Sequence, residues 1–222
     1  MLDLLLPRRC LLCGDAGAHL CPACRAGVPR LGPPLCERCG APTEWPVERC
    51  RECSGRRLGF ASARAAVPYD DAVRRLVGAW KERGLRRLAV EAASLVADCV
   101  PAPPADVLTF VPADSRRRGE RGHHPAERLA RELAGLWQLP FESLVTRTGA
   151  SRRQRGLTLL ERRRNVAGAF TARPVADIVL LVDDVYTSGA TVSAAASALR
   201  GAGAKAVYVV TFARTIRFHR AT

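Results

Sequence analysis

Long apolar runs are missing from this 222-residue chain. No stretch approaches the ~20 consecutive apolar residues that a membrane-spanning helix needs, so no membrane insertion is expected. The opening, Met1 to Arg9, has a short apolar patch with its positive charge after it, whereas a secretory signal carries that charge in front. A cytoplasmic location is therefore expected. Aromatic residues make up only 5%. A general groove for single-stranded nucleic acid stacks bases on aromatic rings, and here Trp45, Trp80 and Trp137 are scattered, leaving only Tyr186 near a functional motif. Lysine is almost absent: Lys81 and Lys205 stand among 35 basic residues, all the others arginine. No Gly-Lys-Ser/Thr triplet follows a glycine at the Walker A spacing, which excludes that phosphate loop.

What is present is charge of one sign. The formal net charge is +14, and guanidinium groups suit bidentate phosphate contacts. The balance fits an anionic partner such as a polyphosphate or nucleic acid; GC-rich coding would also favour arginine. Hydrophobic residues reach 48%, enough for a real core in one medium domain with a small one beside it.

Residues 177–191 concentrate the chemistry. An aliphatic run without alternation reads as a strand buried on both faces. It ends in Asp183 and Asp184, where open α/β sheets bind ligands. Val185 and Tyr186 lead into a short loop, Thr187, Ser188, Gly189, Ala190 and Thr191, and then an alanine-rich helix. Gly189 allows close backbone approach. The loop opens a helix, so its free N–H groups and the positive helix end form an anion cradle, with three hydroxyls beside it. A phosphate on the loop and ribose hydroxyls on the two carboxylates, directly or through Mg²⁺, would accommodate a sugar phosphate. These residues resemble the phosphoribosyl pyrophosphate motif of the type I phosphoribosyltransferases at every position: aliphatic run, Asp-Asp, aliphatic, any residue, then Thr/Ser-Thr/Ser-Gly-any-Thr/Ser. A bare strand, polar turn and capped helix would leave a buried Asp pair without partners, which is costly.

Eight of the nine cysteines lie in the first 53 residues, as four Cys-x-x-Cys pairs: Cys10/Cys13, Cys21/Cys24, Cys36/Cys39 and Cys50/Cys53. Two such turns complete a tetrahedral zinc site and four turns make two. The simplest pairing is sequential; an interleaved one is open. A reducing compartment argues against disulfides, and no βαβ context supports thioredoxin-like chemistry. This proline- and glycine-rich region is too small to build a core of its own, so metal would supply its folding energy. A four-thiolate site has no open coordination position, which makes the zinc structural. Cys99, alone at the end of a helical pattern, reads as a buried apolar residue.

Further along, residues 61–68 read as a strand and 69–100 as helical with a break at Gly84. Residues 107–111 read as a buried strand ending at Pro112. A basic loop follows at 116–122, then a helix over 125–136, a short strand within 141–146 and a very polar stretch over 147–165. A helix over 191–202 and a strand over 206–212 close the chain. Alternating strands and helices imply a mainly parallel sheet with crossovers. The expected organisation is a zinc-ribbon domain over 1–58 and an α/β domain over 59–222.

The order of these pieces resembles the ComF family, the amidophosphoribosyltransferase-like group that includes competence protein F. Its signs are the double zinc ribbon; Tyr69 leading to Lys81-Glu-Arg-Gly84 and Leu88-Ala89; Val111-Pro112; the Arg-rich loop; Gln154-Arg-Gly-Leu157; Arg163 through Phe170; the Asp-Asp loop; and Ala213-Arg214. The resemblance implies a type I phosphoribosyltransferase fold, a mainly parallel twisted sheet flanked by helices, with the small N-terminal zinc-ribbon domain. It places pyrophosphate on the loop holding Arg116, Arg118 and Arg121, and a closing hood over 147–165. The family's usual Arg-Gly-Phe-Asn-Gln is replaced by Arg121-Gly122-His123-His124-Pro125, where the two imidazoles are either catalytic or helix caps.

Two functions follow. In one, an enzyme binds phosphoribosyl pyrophosphate with Mg²⁺, and an unassigned acceptor attacks the anomeric carbon as pyrophosphate leaves, with a role in DNA uptake during transformation. In the other, a binding protein senses a nucleotide or grips single-stranded DNA while its ribbons dock a partner such as a helicase.

Overall fold

The computed structural model describes residues 8–113, 124–148, 168–175 and 177–216 of the chain. Its centre is a four-stranded sheet of β1 (Ser62–Pro68), β2 (Val107–Phe110), β5 (Ile178–Tyr186) and β6 (Ala206–Arg214). The strand order is β1-β6-β5-β2 and every pairing is parallel. β2 is buried along its whole length and β5 from Val179 to Val182, as expected for strands covered on both faces.

One face carries α2 (Asp71–Glu82), α3 (Leu88–Cys99) and α4 (Pro125–Trp137). Asp70 starts α2 by accepting the Val73 N–H at 2.8 Å, which satisfies one of the orphan donors of the first turn. Val73, Leu76, Val77 and Trp80 form its buried stripe. The break expected at Gly84 is present, with φ +65°. Small residues, Ala89, Ala92 and Ala93 on α3 and Ala126, Ala130 and Ala134 on α4, keep both helices close to Leu108, Leu180, Val182, Val210 and Phe212. His124 caps α4: its Nδ1 accepts the Glu127 N–H at 3.2 Å, and Pro125 follows at the first helical position.

The other face carries α5 (Ala190–Gly201) and the second half of the cysteine-rich ribbon, whereas Leu20 and Val28 of its first half pack in the core beside α2 and α3. Val192, Ala195, Ala196 and Leu199 of α5 pack with Val179, Leu181, Val207 and Val209, alongside Cys36, Cys39, Cys53 and Phe60. The ribbon contains one short helix, α1 (Pro22–Gly27), capped by Cys21. It also runs along the outer edge of β1, where Arg38 O accepts the Ala63 N–H and Ala66 O accepts the Leu31 N–H.

Two short elements differ from the sequence expectation. The strand expected within 141–146 is β3 (Val145–Arg147), paired antiparallel with β4 (Phe170–Ala172) in a separate sheet; Phe141 only bridges to Leu108. β4 and α1 were not anticipated, because three and six residues are too few to show a period. Cys99 is half-buried and packs on the core, and burial pushes its thiol up, in keeping with an apolar role. No helix of the described residues is long and apolar enough to cross a membrane.

Candidate functional site: the strand-end carboxylates, the loop and two cysteine clusters

β5 delivers both carboxylates to the C-terminal end of the sheet. Asp184 lies on the helical face, where Lys81 of α2 donates to its Oδ1 at 2.6 Å. Asp183 accepts the Asp184 backbone N–H at 2.9 Å. Burial and the neighbouring Asp184 carboxylate push Asp183 up to about 8, against the opposing pull of Lys81 and Arg147. Two half-buried acids side by side do not ionise together without a compensating cation.

Six residues after Asp184, α5 begins. Gly189 is its N-cap, in the left-handed region at φ +70°. Ser188 Oγ accepts the Ala190 N–H at 3.3 Å, and Gly189 O receives the Ser193 N–H at 2.9 Å to close the first turn. Thr187 is exposed, while Ser188 and Gly189 are buried. The start of α5 therefore sits beside the carboxylates, as the motif requires.

Tyr186 departs from its expected part in substrate binding. Asp184 meets Lys81 of α2, whereas Tyr186, two residues on, packs in the core shared with the ribbon and α5. Tyr186 is thereby turned toward the ribbon and is 3% exposed. Its ring packs edge-on to Phe60, 6.4 Å between centroids. It also lies directly beneath Gly189, where an added Cβ would sit 2.2 Å from its Oη. Burial pushes this phenol up to about 12. The ring supports the loop from below and presents no face to a base.

The eight ribbon cysteines gather as two clusters, Cys10, Cys13, Cys21 and Cys24, then Cys36, Cys39, Cys50 and Cys53. This is the sequential pairing. All are free thiols. Sulfur pairs stand 3.7 Å apart for Cys13 and Cys21, 3.6 Å for Cys36 and Cys53, and 3.5 Å for Cys39 and Cys50. Tetrahedral Zn–S bonds of ~2.3 Å place sulfurs ~3.8 Å apart, so both clusters fit zinc. Burial opposes ionisation at Cys10 and Cys36. Backbone N–H donors, including those of Cys21 and Cys50 respectively, nonetheless hold these thiols down to about 6 and about 7. Thiolate character is what a metal ligand needs.

Arg116, Arg118 and Arg121, His123 and the hood residues 149–165 lie outside the described residues. Four residues absent from the sequence reading of the site do converge on it. Lys81 pairs with Asp184. Arg56 Nη2 donates to Ser188 O at 2.8 Å. Arg214, 1% exposed, binds Glu52 Oε2 through Nη2 at 2.7 Å. Lys81 and Arg214 carried a signal, since both stand in the segments that carry the family resemblance; Arg56 and Glu52 carried none.

Residues 1–54 match the double zinc ribbon domain. DNA utilization protein YhgH of Salmonella typhi is 30% identical over 227 residues, covering 96% of this chain and 100% of that protein. The chain belongs to the family of competence protein F and YhgH. Competence protein F of Haemophilus influenzae is itself 25% identical, over 93% of this chain and 96% of its own length. A purine phosphoribosyltransferase from Pyrococcus horikoshii overlaps 68% of this chain and 93% of its own, at 18% identity and a TM-score of 0.28. The family's double ribbon here supplies two four-cysteine sites in front of a mainly parallel sheet flanked by helices.

Proposed function

We propose that this competence protein F relative binds phosphoribosyl pyrophosphate with Mg²⁺. The 5′-phosphate sits on residues 187–191 and the ribose hydroxyls and metal on Asp183 and Asp184. The observation that carries this reading is the meeting, within a few residues, of a carboxylate pair at a buried strand end and a helix that starts at a tight left-handed glycine. An anion and a cation or polyol are thus called for side by side. Arg116, Arg118 and Arg121 take the pyrophosphate. A nucleophile then attacks the anomeric carbon as pyrophosphate leaves, with arginine and metal charge stabilising the departing group. The acceptor is unassigned. By the names of its relatives, the chain acts in DNA utilization or competence.

A nucleotide or single-stranded DNA, with a helicase docked on the ribbons, is the less favoured reading. The single aromatic in the motif is buried beneath the loop, where it offers no stacking platform.

Thermal unfolding tests the assignment. Phosphoribosyl pyrophosphate at a hundred times its dissociation constant should add ~2.7 kcal/mol. The rise in midpoint should require Mg²⁺ and vanish in Asp183→Asn/Asp184→Asn. An equal rise in the double variant removes the carboxylates from the site; no rise in the parent protein sinks the phosphoribosyl reading.

A further inference from the structure

The second half of the ribbon and the residues just after it reach the loop and its two flanks through three contacts. Arg214, the last residue of β6, is the Cα partner of Tyr186 in the ladder. Its guanidinium lies 4.6 Å from the centre of the Tyr186 ring. Nη1 donates to Cys39 O, and Nη2 reaches Glu52 Oε2 at 2.7 Å and Cys39 Sγ at 3.9 Å. One planar cation thus joins two residues of the ribbon to the ring on which Gly189 rests. Arg56, three residues beyond Cys53, holds Ser188 O at 2.8 Å. Gly59 N–H donates to Ser193 Oγ in the first turn of α5 at 3.1 Å.

The Arg56 contact has a directional consequence. A trans peptide is planar, with its C=O and N–H opposed. Holding Ser188 C=O toward the ribbon therefore aims the Gly189 N–H away from it, out of the loop's opposite side. A fixed outward N–H is what an anion cradle consists of.

The first cluster makes no comparable contact among the described residues. Its helix α1 reaches α3 instead, where Arg25 binds Asp98 at 2.6 Å and Ser94 Oγ at 2.9 Å.

We propose that zinc in the Cys36, Cys39, Cys50 and Cys53 site holds the loop at 187–189 in its anion-binding conformation, and that Arg214 is the positioning residue that transmits this hold. The inference rests on the phosphate reading of that loop. So small a ribbon takes its shape from its metal. Glu52, Cys39 O and Arg56 keep their places only while the four thiolates are gathered. Without them, Arg214 is a buried charge stripped of its carboxylate, and Tyr186 and Ser188 lose their supports. The first site, remote from the loop, has no such effect.

Amide hydrogen exchange on the full-length zinc-loaded protein, read at 186–190 against β2 and α4 in the same molecule, provides the test. Zinc per chain and phosphoribosyl pyrophosphate–Mg²⁺ affinity are measured alongside. Arg214→Lys keeps the charge but loses the planar fork. It should retain two zinc ions, speed exchange at 186–190 at least tenfold without change in β2, and weaken ligand binding at least tenfold. Glu52→Gln, a milder change, should move the same amides in the same direction. Cys53→Ser should lose one zinc and loop protection together, whereas Cys13→Ser should lose one zinc and leave the loop within twofold of the parent. Unchanged loop exchange in Cys53→Ser, or an equal effect from Cys13→Ser, overturns the proposal. If the parent protein binds no phosphoribosyl pyrophosphate yet the loop still answers only to the second zinc, the coupling stands and the ligand assignment falls. If binding and exchange are the same in all variants, the coupling falls and the ligand assignment stands.

Discussion

The two cysteine clusters are built alike and placed differently. Each has a Cys-x-x-Cys turn followed by a glycine with positive φ, Gly14 at +87° and Gly40 at +68°. In the first cluster Cys13 is exposed and Cys21 and Cys24 are half-buried; in the second, Cys36, Cys39 and Cys53 are all buried. The first fastens to α3 through Arg25, with Leu20 and Val28 beside it packed in the core against α2 and α3. The second is wedged between the edge of β1 and the start of α5. The same local chemistry thus serves as an outer clasp in one place and as part of the floor of the candidate site in the other. The difference lies in the surroundings, not in the ligands.

The largest expected effect separates the paired glycines. A Cβ at Gly40 would stand 2.4 Å from Ala63 O, whereas one at Gly14 meets nothing within 4 Å. Gly14→Ala should cost only its left-handed backbone, about 1–2 kcal/mol. Gly40→Ala adds a clash with the sheet edge and should cost about 1–3 kcal/mol more. Chemical denaturation of both variants at saturating zinc measures the gap, and equal losses would mean that the second cluster is not wedged at all.

A smaller effect asks whether the loop side is also the pH-sensitive side. Burial and the Asp184 carboxylate push Asp183 up to about 8, from an ordinary value near 3.8. The folded state therefore holds a proton that the unfolded chain has already lost across that window, so stability is lost as pH rises from about 4 to about 8. Asp183→Asn removes that dependence. In Mg²⁺-free buffer, the variant should gain on the parent as pH rises from 6 to 9, read from thermal midpoints. Parallel curves for the two would refute the shifted carboxyl.

The smallest effect belongs to the outer clasp. Arg25 and Asp98 are partly exposed, so Arg25→Ala should cost only about 0.2–1 kcal/mol. It should leave both zinc ions bound. A larger loss would make the first cluster as integral as the second.

What could be read from the chain was what is local along it. The buried strand, the carboxylate pair, the left-handed glycine and the helix after it are contiguous, so residues 177–191 were legible as a unit. Sequential gathering of the cysteines was legible too, since neighbouring Cys-x-x-Cys turns need little chain to meet. Arg214, Glu52 and Arg56 were not. They come from segments far apart in the chain, and nothing in an arginine-rich composition marks the Arg214 guanidinium as a buried one. Tyr186 was misplaced for a different reason. Its neighbourhood invited a ligand-facing ring, but the ring packs inward on Phe60 and the ribbon-side core. Strict period-two alternation from Asp184 would have placed it on the side of α2.

The segments along the two sides of the sheet have a consequence for association. Leu31 and Arg38 bond to β1 on one side, and Pro140 and Glu142 bond to Leu108 of β2 on the other. Neither flank offers an unbroken row of backbone groups for a guest strand to pair with. Recruitment by strand addition, and the runaway stacking that accompanies it, is disfavoured at both flanks. A protein or a second copy that docks along these two flanks is recognised through side chains, and its specificity there is open to single substitutions.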